Sequence, residues 1–257
     1  MSTMKLPKTP SFRLDGRKAL VTGASQGIGL AGAAALADAG AEVTLAARSK
    51  GKVEAAAQSI RNAGGKAHAL VLDVMDKAAV DREIAALGPF QILFNNAGTN
   101  RPMELTDVSE EDYDAVTDLN VRAAIFVARA VVKGLIEAGL PGSIINTSSQ
   151  MGLIGGPKRT IYCATKFAIE GFTKALAWEV GGRGIRVNTI CPTFIVTPMT
   201  AGMLDDAQFK AKVESQIVLG RLGQVEDLMG AILFLASDAS SLMTGSSLVV
   251  DGGWTAS

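Results

Sequence analysis

Lys18-Ala19-Leu20-Val21-Thr22-Gly23-Ala24-Ser25-Gln26-Gly27-Ile28-Gly29 decides how this chain folds. A short apolar run meets a glycine-rich turn, and an Ala-rich segment then continues to Asp38, where Gly40 supplies a C-cap. Strand, tight turn and helix in that order open a βαβ unit. Gly23, Gly27 and Gly29 let backbone N–H groups converge on an anion at the positive end of the helix, and Ser25, Gln26 and Ile28 share that turn. The spacing G-x-x-x-G-x-G is neither the G-x-G-x-x-G of most dinucleotide folds nor a Lys-bearing phosphate loop. A turn that binds nothing is the competing reading.

Outward from that turn the alternation repeats. Strands are expected at Glu42–Ala46, Lys66–Leu72, Phe90–Phe94, Ser143–Thr147, Ile185–Ile190 and Ser247–Val250. Helices are expected at about Lys50–Asn62, Lys77–Leu87, Thr160–Val180 and Val225–Ala236. Ser109 with Asp112 forms a capping box, from which a long helix runs past Asn120 to about Glu137. The carboxylates between Thr106 and Asp118 are therefore a solvated helix start rather than an acid/base pair. The pattern specifies an α/β chain: one Rossmann-type domain over residues 1–257, a doubly wound parallel sheet of about seven strands flanked by helices. Residues 1–13 form an N-terminal tail. Residues 192–220, with a helical piece near Asp205–Ser215, form a lid over the strand ends.

In a dinucleotide site an acid about 20 residues beyond the glycine turn bonds the adenosine ribose. Here the second strand ends Ala46-Ala47-Arg48-Ser49, and Glu42 lies at its far end. An Arg in that place can meet a 2′-phosphate, so NADP(H) is favoured over NAD(H). A solvated loop charge is the plainer alternative for Arg48.

Tyr162 and Lys166 are four residues apart and share a helix face. A free phenol, at pKa about 10, is a poor acid or base near neutrality. Bringing it to about 7 takes roughly 4 kcal/mol, which one ammonium about 4 Å away can supply at an effective dielectric near 20. Lys166 alone is thus expected to make Tyr162 a usable proton carrier, although Tyr-x-x-x-Lys taken by itself is a common pairing.

Basic and acidic residues balance at 25 each, which argues against nucleic acid and anionic membranes as partners. The two cysteines, Cys163 and Cys191, make no disulfide framework and suit a reducing cytoplasm. Met1 to Phe12 lacks a signal-peptide core, and no apolar run approaches the ~18 residues of a membrane span. No His/Cys/carboxylate spacing suggests a metal. His68 reads as structural, and Trp178 and Trp254 as packing or interface residues.

Together these residues make the chain resemble the short-chain dehydrogenases/reductases from about Leu14 to Trp254. The markers stand in order: Thr22-Gly23-x3-Gly27-x-Gly29, Asp73-Val74, Asn95-Asn96-Ala97-Gly98, Asn120, Ser149, Tyr162-x3-Lys166 and Val250-Asp251-Gly252-Gly253. Ser149, thirteen residues before Tyr162, stands at the family's usual separation and outranks Ser148. The resemblance implies that Tyr162 is the general acid/base, that Ser149 bonds the same substrate oxygen, and that Lys166 lowers the Tyr162 pKa and holds the nicotinamide ribose. It further implies that Asn120 positions a water leading from Lys166 to solvent. Asp73 and Val74 would touch adenine, Asn96, Ala97 and Gly98 would line the cofactor, and Ser49 would join Arg48. Pro192, Ile195 and Thr197 would meet carboxamide and pyrophosphate. A homotetramer is implied, with the helices of Asn120 and Tyr162 between subunits.

The family's Pro-Gly after the sixth strand is here Pro192-Thr193, a replacement expected to reshape the pocket. The resemblance extends to 3-oxoacyl-carrier-protein reductases and to gluconate 5-dehydrogenase-like members. The implied activity is hydride transfer between a nicotinamide cofactor and a secondary alcohol or ketone, such as a sugar acid or polyol. A 3-oxoacyl thioester is the alternative substrate, and a silent dinucleotide-binding regulator the rival of another class. Arg101, expected to face the site and meet a substrate carboxylate, and Gln150, beside Ser149, are the candidate substrate residues.

Overall fold

A computed structural model describes residues 6–256. The first five residues of the tail, and with them part of the Met1–Phe12 reading, lie outside the described residues.

Among the described residues seven strands are present: β1 (Lys18–Thr22), β2 (Glu42–Ala47), β3 (Lys66–Val71), β4 (Ile92–Asn95), β5 (Gly142–Thr147), β6 (Ile185–Pro192) and β7 (Ser247–Val250). They pair in parallel in the order β3-β2-β1-β4-β5-β6-β7. The order follows from residues that are apolar on both faces. Ala19, Leu20 and Val21 of β1, and Ile92, Leu93 and Phe94 of β4, are all fully buried, so helices must cover both sides.

On one face lie α1 (Gly27–Asp38), α2 (Lys50–Asn62) and α9 (Glu226–Ala236), which bring Leu36, Val53, Ile60, Ile232 and Leu235 into a single cluster. On the other, α3 (Lys77–Leu87), α5 (Ala124–Ala138) and α6 (Thr160–Val180) supply Ile84, Val127, Val131, Leu135 and Ala177. The alanines of α1 let it lie close to the sheet, where Ala33 and Leu36 are completely buried.

Three expectations need correction. The fourth strand begins at Ile92, not Phe90: Pro89 has no N–H to offer a ladder, and pairing with β1 starts at Ala19–Ile92. The third strand stops at Val71, although the Leu72 N–H still reaches the Ala47 carbonyl at 3.1 Å. The long helix is not uniform. α4 (Glu110–Thr117) passes into a wider, π-helical turn over Asp118–Ala123 before α5 resumes regular winding. Ser109 caps α4 by accepting from the Asp112 N–H at 3.1 Å. The Ser109 hydroxyl in turn donates to the Asp112 carboxylate at 2.5 Å, because an Asp is one methylene too short to reach back to the Ser109 N–H and complete the box.

Between β6 and α9 stand α7 (Ala201–Leu204), which the sequence did not announce, and α8 (Ala207–Gln216), capped by Asp206. Val213, Ile217 and Leu222 form a small core of their own, with Phe194 stacked on Trp254 at 5.8 Å. Trp254 thus packs, whereas Trp178 is 91% exposed. His68 sits at the surface, 3.0 Å from Glu42. Among the described residues no helix is long and apolar enough to cross a membrane.

Candidate active site and cofactor cradle

The strand order turns around between β1 and β4, and a crevice opens where such a sheet reverses, at the carboxyl ends of the strands. The glycine turn stands there. Gly23 has φ +64°, a conformation that side chains resist. A Cβ on Gly29 would collide with the Gly23 carbonyl and the Asn96 amide, so α1 approaches β4 only because that atom is missing. Thr22 Oγ1 accepts from the N–H groups of Asn96 and Ala97 at 3.0 and 3.1 Å, fixing the ends of β1 and β4 to each other. Gln26 is the N-cap of α1 but makes no side-chain cap bond, and no carboxylate stands in the first turn. The N–H groups of that turn therefore remain for an anion. Ser25 and Ile28 are half-buried in the same loop, and Thr197 borders Gly27 from the opposite wall.

At the adenosine end, Arg48 is exposed and makes no ion pair or hydrogen bond among the described residues. Ser49 begins α2 with its hydroxyl uncommitted. Asp73 Oδ1 accepts from the Met75 N–H at 2.9 Å, which turns the chain after β3 and buries Val74. Lys52, one turn beyond Arg48, reaches the Gln26 amide oxygen at 3.4 Å. It is a second cation at the cradle that sequence reading missed, although its i+4 spacing from Arg48 announced it. A free guanidinium, a free helix start and a turn with no room for a Cβ fit a phosphorylated dinucleotide.

Tyr162 and Lys166 do meet on one face of α6. Lys166 Nζ lies 5.4 Å from the Tyr162 ring centre and donates to the Thr147 carbonyl at 2.8 Å, at the end of β5. The Ser149 hydroxyl accepts from the Met151 N–H at 3.1 Å and lies against the phenol of Tyr162. Asn120 is buried in the wide turn. Its Oδ1 accepts from the Thr99 N–H at 2.8 Å, and its Nδ2 donates to the Thr99 carbonyl at 2.9 Å and to Thr165 Oγ1 at 3.1 Å. Thr165 in turn bonds the Tyr162 carbonyl at 2.7 Å. One asparagine thus pins the loop after β4, beside Gly98, to the turn of α6 that carries the tyrosine.

The electrostatics differ from the expectation. Burial pushes the Tyr162 phenol above its ordinary range, and the Ser149 hydroxyl, then the Arg159 charge, only partly pull it back. Lys166 is not among the groups that shift the phenol, and burial drives its own amine down to about 8. Glu170 works in the opposite sense and supports its charge. Glu170, one turn after Lys166, is buried. Ser247 Oγ donates to it at 2.6 Å and Cys191 Sγ at 3.3 Å, with Lys174 Nζ at 3.6 Å. Burial raises its pKa, but the surrounding donors outweigh that and hold it below the usual carboxylate range. The same burial drives the Cys191 thiol up to about 12, which makes it inert.

On the substrate side the structure separates the two candidates. Arg101 is turned onto Asp112 at 2.7 Å and Glu111 at 3.5 Å, so its charge is already matched within the protein. Gln150 is 1% exposed, and neither polar atom of its amide has a partner among the described residues. The Thr193 hydroxyl, where the family pattern has glycine, is likewise buried without a partner. Pro192 ends β6. Ile195 is buried and bridges to Gly223, and its carbonyl accepts from Thr200 Oγ1 at 2.6 Å, which shapes the turn that presents Thr197.

Known proteins share both the sequence and the fold. A family model described as Enoyl-(Acyl carrier protein) reductase matches residues 23–255. Gluconate 5-dehydrogenase of Gluconobacter oxydans (strain 621H) is 41% identical over 96% of this chain and 97% of its own. D-erythrulose reductase of Gallus gallus is 40% identical over 96% of this chain and 99% of its own. The crystal structure of a gluconate 5-dehydrogenase from Burkholderia cenocepacia J2315 in complex with NADP and tartrate superposes with a TM-score of 0.91 at 38% identity, covering 96% of this chain and 98% of that one. With a seven-stranded parallel sheet and a cradle at its reversal, the chain belongs to the short-chain dehydrogenase/reductase family and is an NAD(P)-dependent oxidoreductase.

Proposed function

We propose that this protein interconverts a ketone and a secondary alcohol on a sugar, polyol or sugar acid, with NADP(H) preferred over NAD(H). The observation that carries the reading is the convergence of Ser149, Tyr162 and Lys166 at the mouth of the glycine cradle. The relatives named for erythrulose and gluconate support the substrate range, and the NADP in the Burkholderia structure supports the cofactor.

A bound nicotinamide supplies or accepts the hydride. The chain does the rest. Gly23, Gly27, Gly29 and the start of α1 hold the pyrophosphate, with Thr197 closing the far wall. Arg48, assisted by Lys52, meets the 2′-phosphate. Asp73 and Val74 border adenine, and Asn96, Ala97, Gly98, Pro192 and Ile195 line the path to the nicotinamide. Ser149 and Tyr162 converge on the substrate oxygen, and Tyr162 gives up or takes back the proton. Lys166 holds the ribose and keeps a positive charge beside the phenol. The Asn120 side chain is committed to Thr99 and Thr165, so its main-chain carbonyl is the group that would hold a water on the way from Lys166 to solvent. Gln150, with both amide atoms free, faces substrate hydroxyls. Residues 192–220 act as the lid. With its thiols free, the protein belongs in the cytoplasm, and it assembles as a homotetramer.

The test is oxidation of NADPH and NADH in parallel against neutral ketoses, keto sugar acids and acetoacetyl thioester. Turnover of ketoses or keto acids is expected, and exclusive use of the thioester would overturn the proposed substrate range. Tyr162→Phe should lower kcat by about 10²–10⁴, the usual worth of a positioned proton donor. Parent-like turnover by that variant would remove the mechanism. Arg48→Ala should raise KM for NADPH about tenfold or more and leave KM for NADH near the parent value.

A further inference from the structure

One buried cation has no counter-charge. Arg159, three residues before Tyr162, is 5% exposed, and no carboxylate among the described residues lies within ion-pairing distance of it. The sole hydrogen bond of its guanidinium there is a long one, 3.5 Å from Nη2 to the thioether of Met203 on α7. The other charges that border it are matched. Arg101 is held by Asp112 and Glu111, and Lys158 lies 3.7 Å from Glu104. Asp112 faces the same space but is committed to Arg101 and Ser109. Arg159 is therefore surplus positive charge between the catalytic helix and the lid. It acts on the phenol of Tyr162 itself and pulls the proton affinity of that group down.

A desolvated guanidinium is costly unless it is paired. Its planar fork fits a carboxylate through two parallel bonds. A single fork balances one negative charge, whereas a doubly charged phosphate would carry net charge into the site. We propose that Arg159 is the anchor for a substrate carboxylate, so that the enzyme selects hydroxy and keto acids over neutral sugars. This rests on the reaction proposed above and takes over the role that sequence reading gave to Arg101.

The test compares 5-keto-D-gluconate with L-sorbose, which differ in a carboxylate against a hydroxymethyl group, using NADPH and the full-length protein. The ratio of kcat/KM values, acid over neutral, should be at least about 30 in the parent. In Arg159→Met it should fall by at least tenfold, and in Arg159→Lys it should stay well above the Met value. Melting temperature and NADPH Kd report whether each variant has folded. Should the Met variant fail to fold, the parent ratio and the Lys variant carry the test. A parent that reduces L-sorbose as well as the acid, or a folded Met variant with an unaltered ratio, overturns the anchor while leaving the reaction standing. A parent that reduces neither compound overturns the substrate range and the anchor with it.

Discussion

Lys166 meets two opposed demands with one side chain. The proposed mechanism wants charge beside a proton-carrying phenol, yet burial drives the amine from 10.5 to about 8. A depressed Lys destabilises the folded chain below its folded pKa, and that cost fades as pH rises from about 8 toward 10.5. At about 1.4 kcal/mol per unit the cost at neutrality is on the order of 3 kcal/mol, offset in part by the bond to Thr147. Lys166→Met should therefore melt several degrees higher than the parent at pH 7, with the gap closing above pH 10, while kcat falls at least about 100-fold. A lower melting point at pH 7 would contradict this. Glu170→Gln should bring the alkaline limb of kcat/KM to lower pH, since the carboxylate that supports the Lys166 charge is gone; a profile identical to the parent's would count against it. Tyr162, Lys166 and Ser149 were legible because each is fixed by spacing along one strand, loop and helix. The pairing of Arg101 was not legible, because its partners, Glu111 and Asp112, come from a neighbouring helix. Arg159 was invisible for a related reason: one group it touches, Met203, lies on α7, which has no pattern of its own.

Among the elements, α1 and α9 carry the sharpest consequences. Gly29→Ala places a methyl against the Gly23 carbonyl, so α1 must lift away from β4. NADPH Kd should rise about tenfold or more and the melting point should drop, both read by fluorescence. At the head of α9, Asp227 receives Arg221 at 2.6 and 2.8 Å and the Gln224 N–H at 2.7 Å, which hold its carboxyl down to about 2. A depressed Asp stabilises the fold above its unfolded value of 3.8 and loses that contribution as pH falls toward 2. Asp227→Asn should thus melt a few degrees below the parent at pH 7, the difference shrinking in acid; a gap that is constant with pH would refute the assignment. Element identity was readable because two-sided apolar runs and 3.6-residue stripes are local properties. The start of β4 and the wide turn were not, since the first depends on where β1 stands and the second on what Asn120 must reach.

At the scale of the molecule, α6 leaves Phe167 half-exposed and Trp178 91% exposed on one stripe, eleven residues apart and so within about 20° around the axis. The proposed tetramer would cover them. Light scattering should give four times the chain mass, and Trp178→Glu should lower it to two or one; a monomeric parent would end that proposal. The overall topology was legible because right-handed crossovers leave few ways to wind alternating strands and helices. The assembly was legible only through resemblance, since one chain cannot announce what its bare faces touch. The π-helical turn at Asp118–Ala123 adds a constraint of another kind. It is a helix with one more residue than its winding requires. Excising Leu119 to regularise it would leave the flanking helices in phase but re-aim the residues of the turn itself, carrying Asn120 off Thr99 and Thr165. Protein engineers can exchange letters in this rod, but they cannot shorten the word.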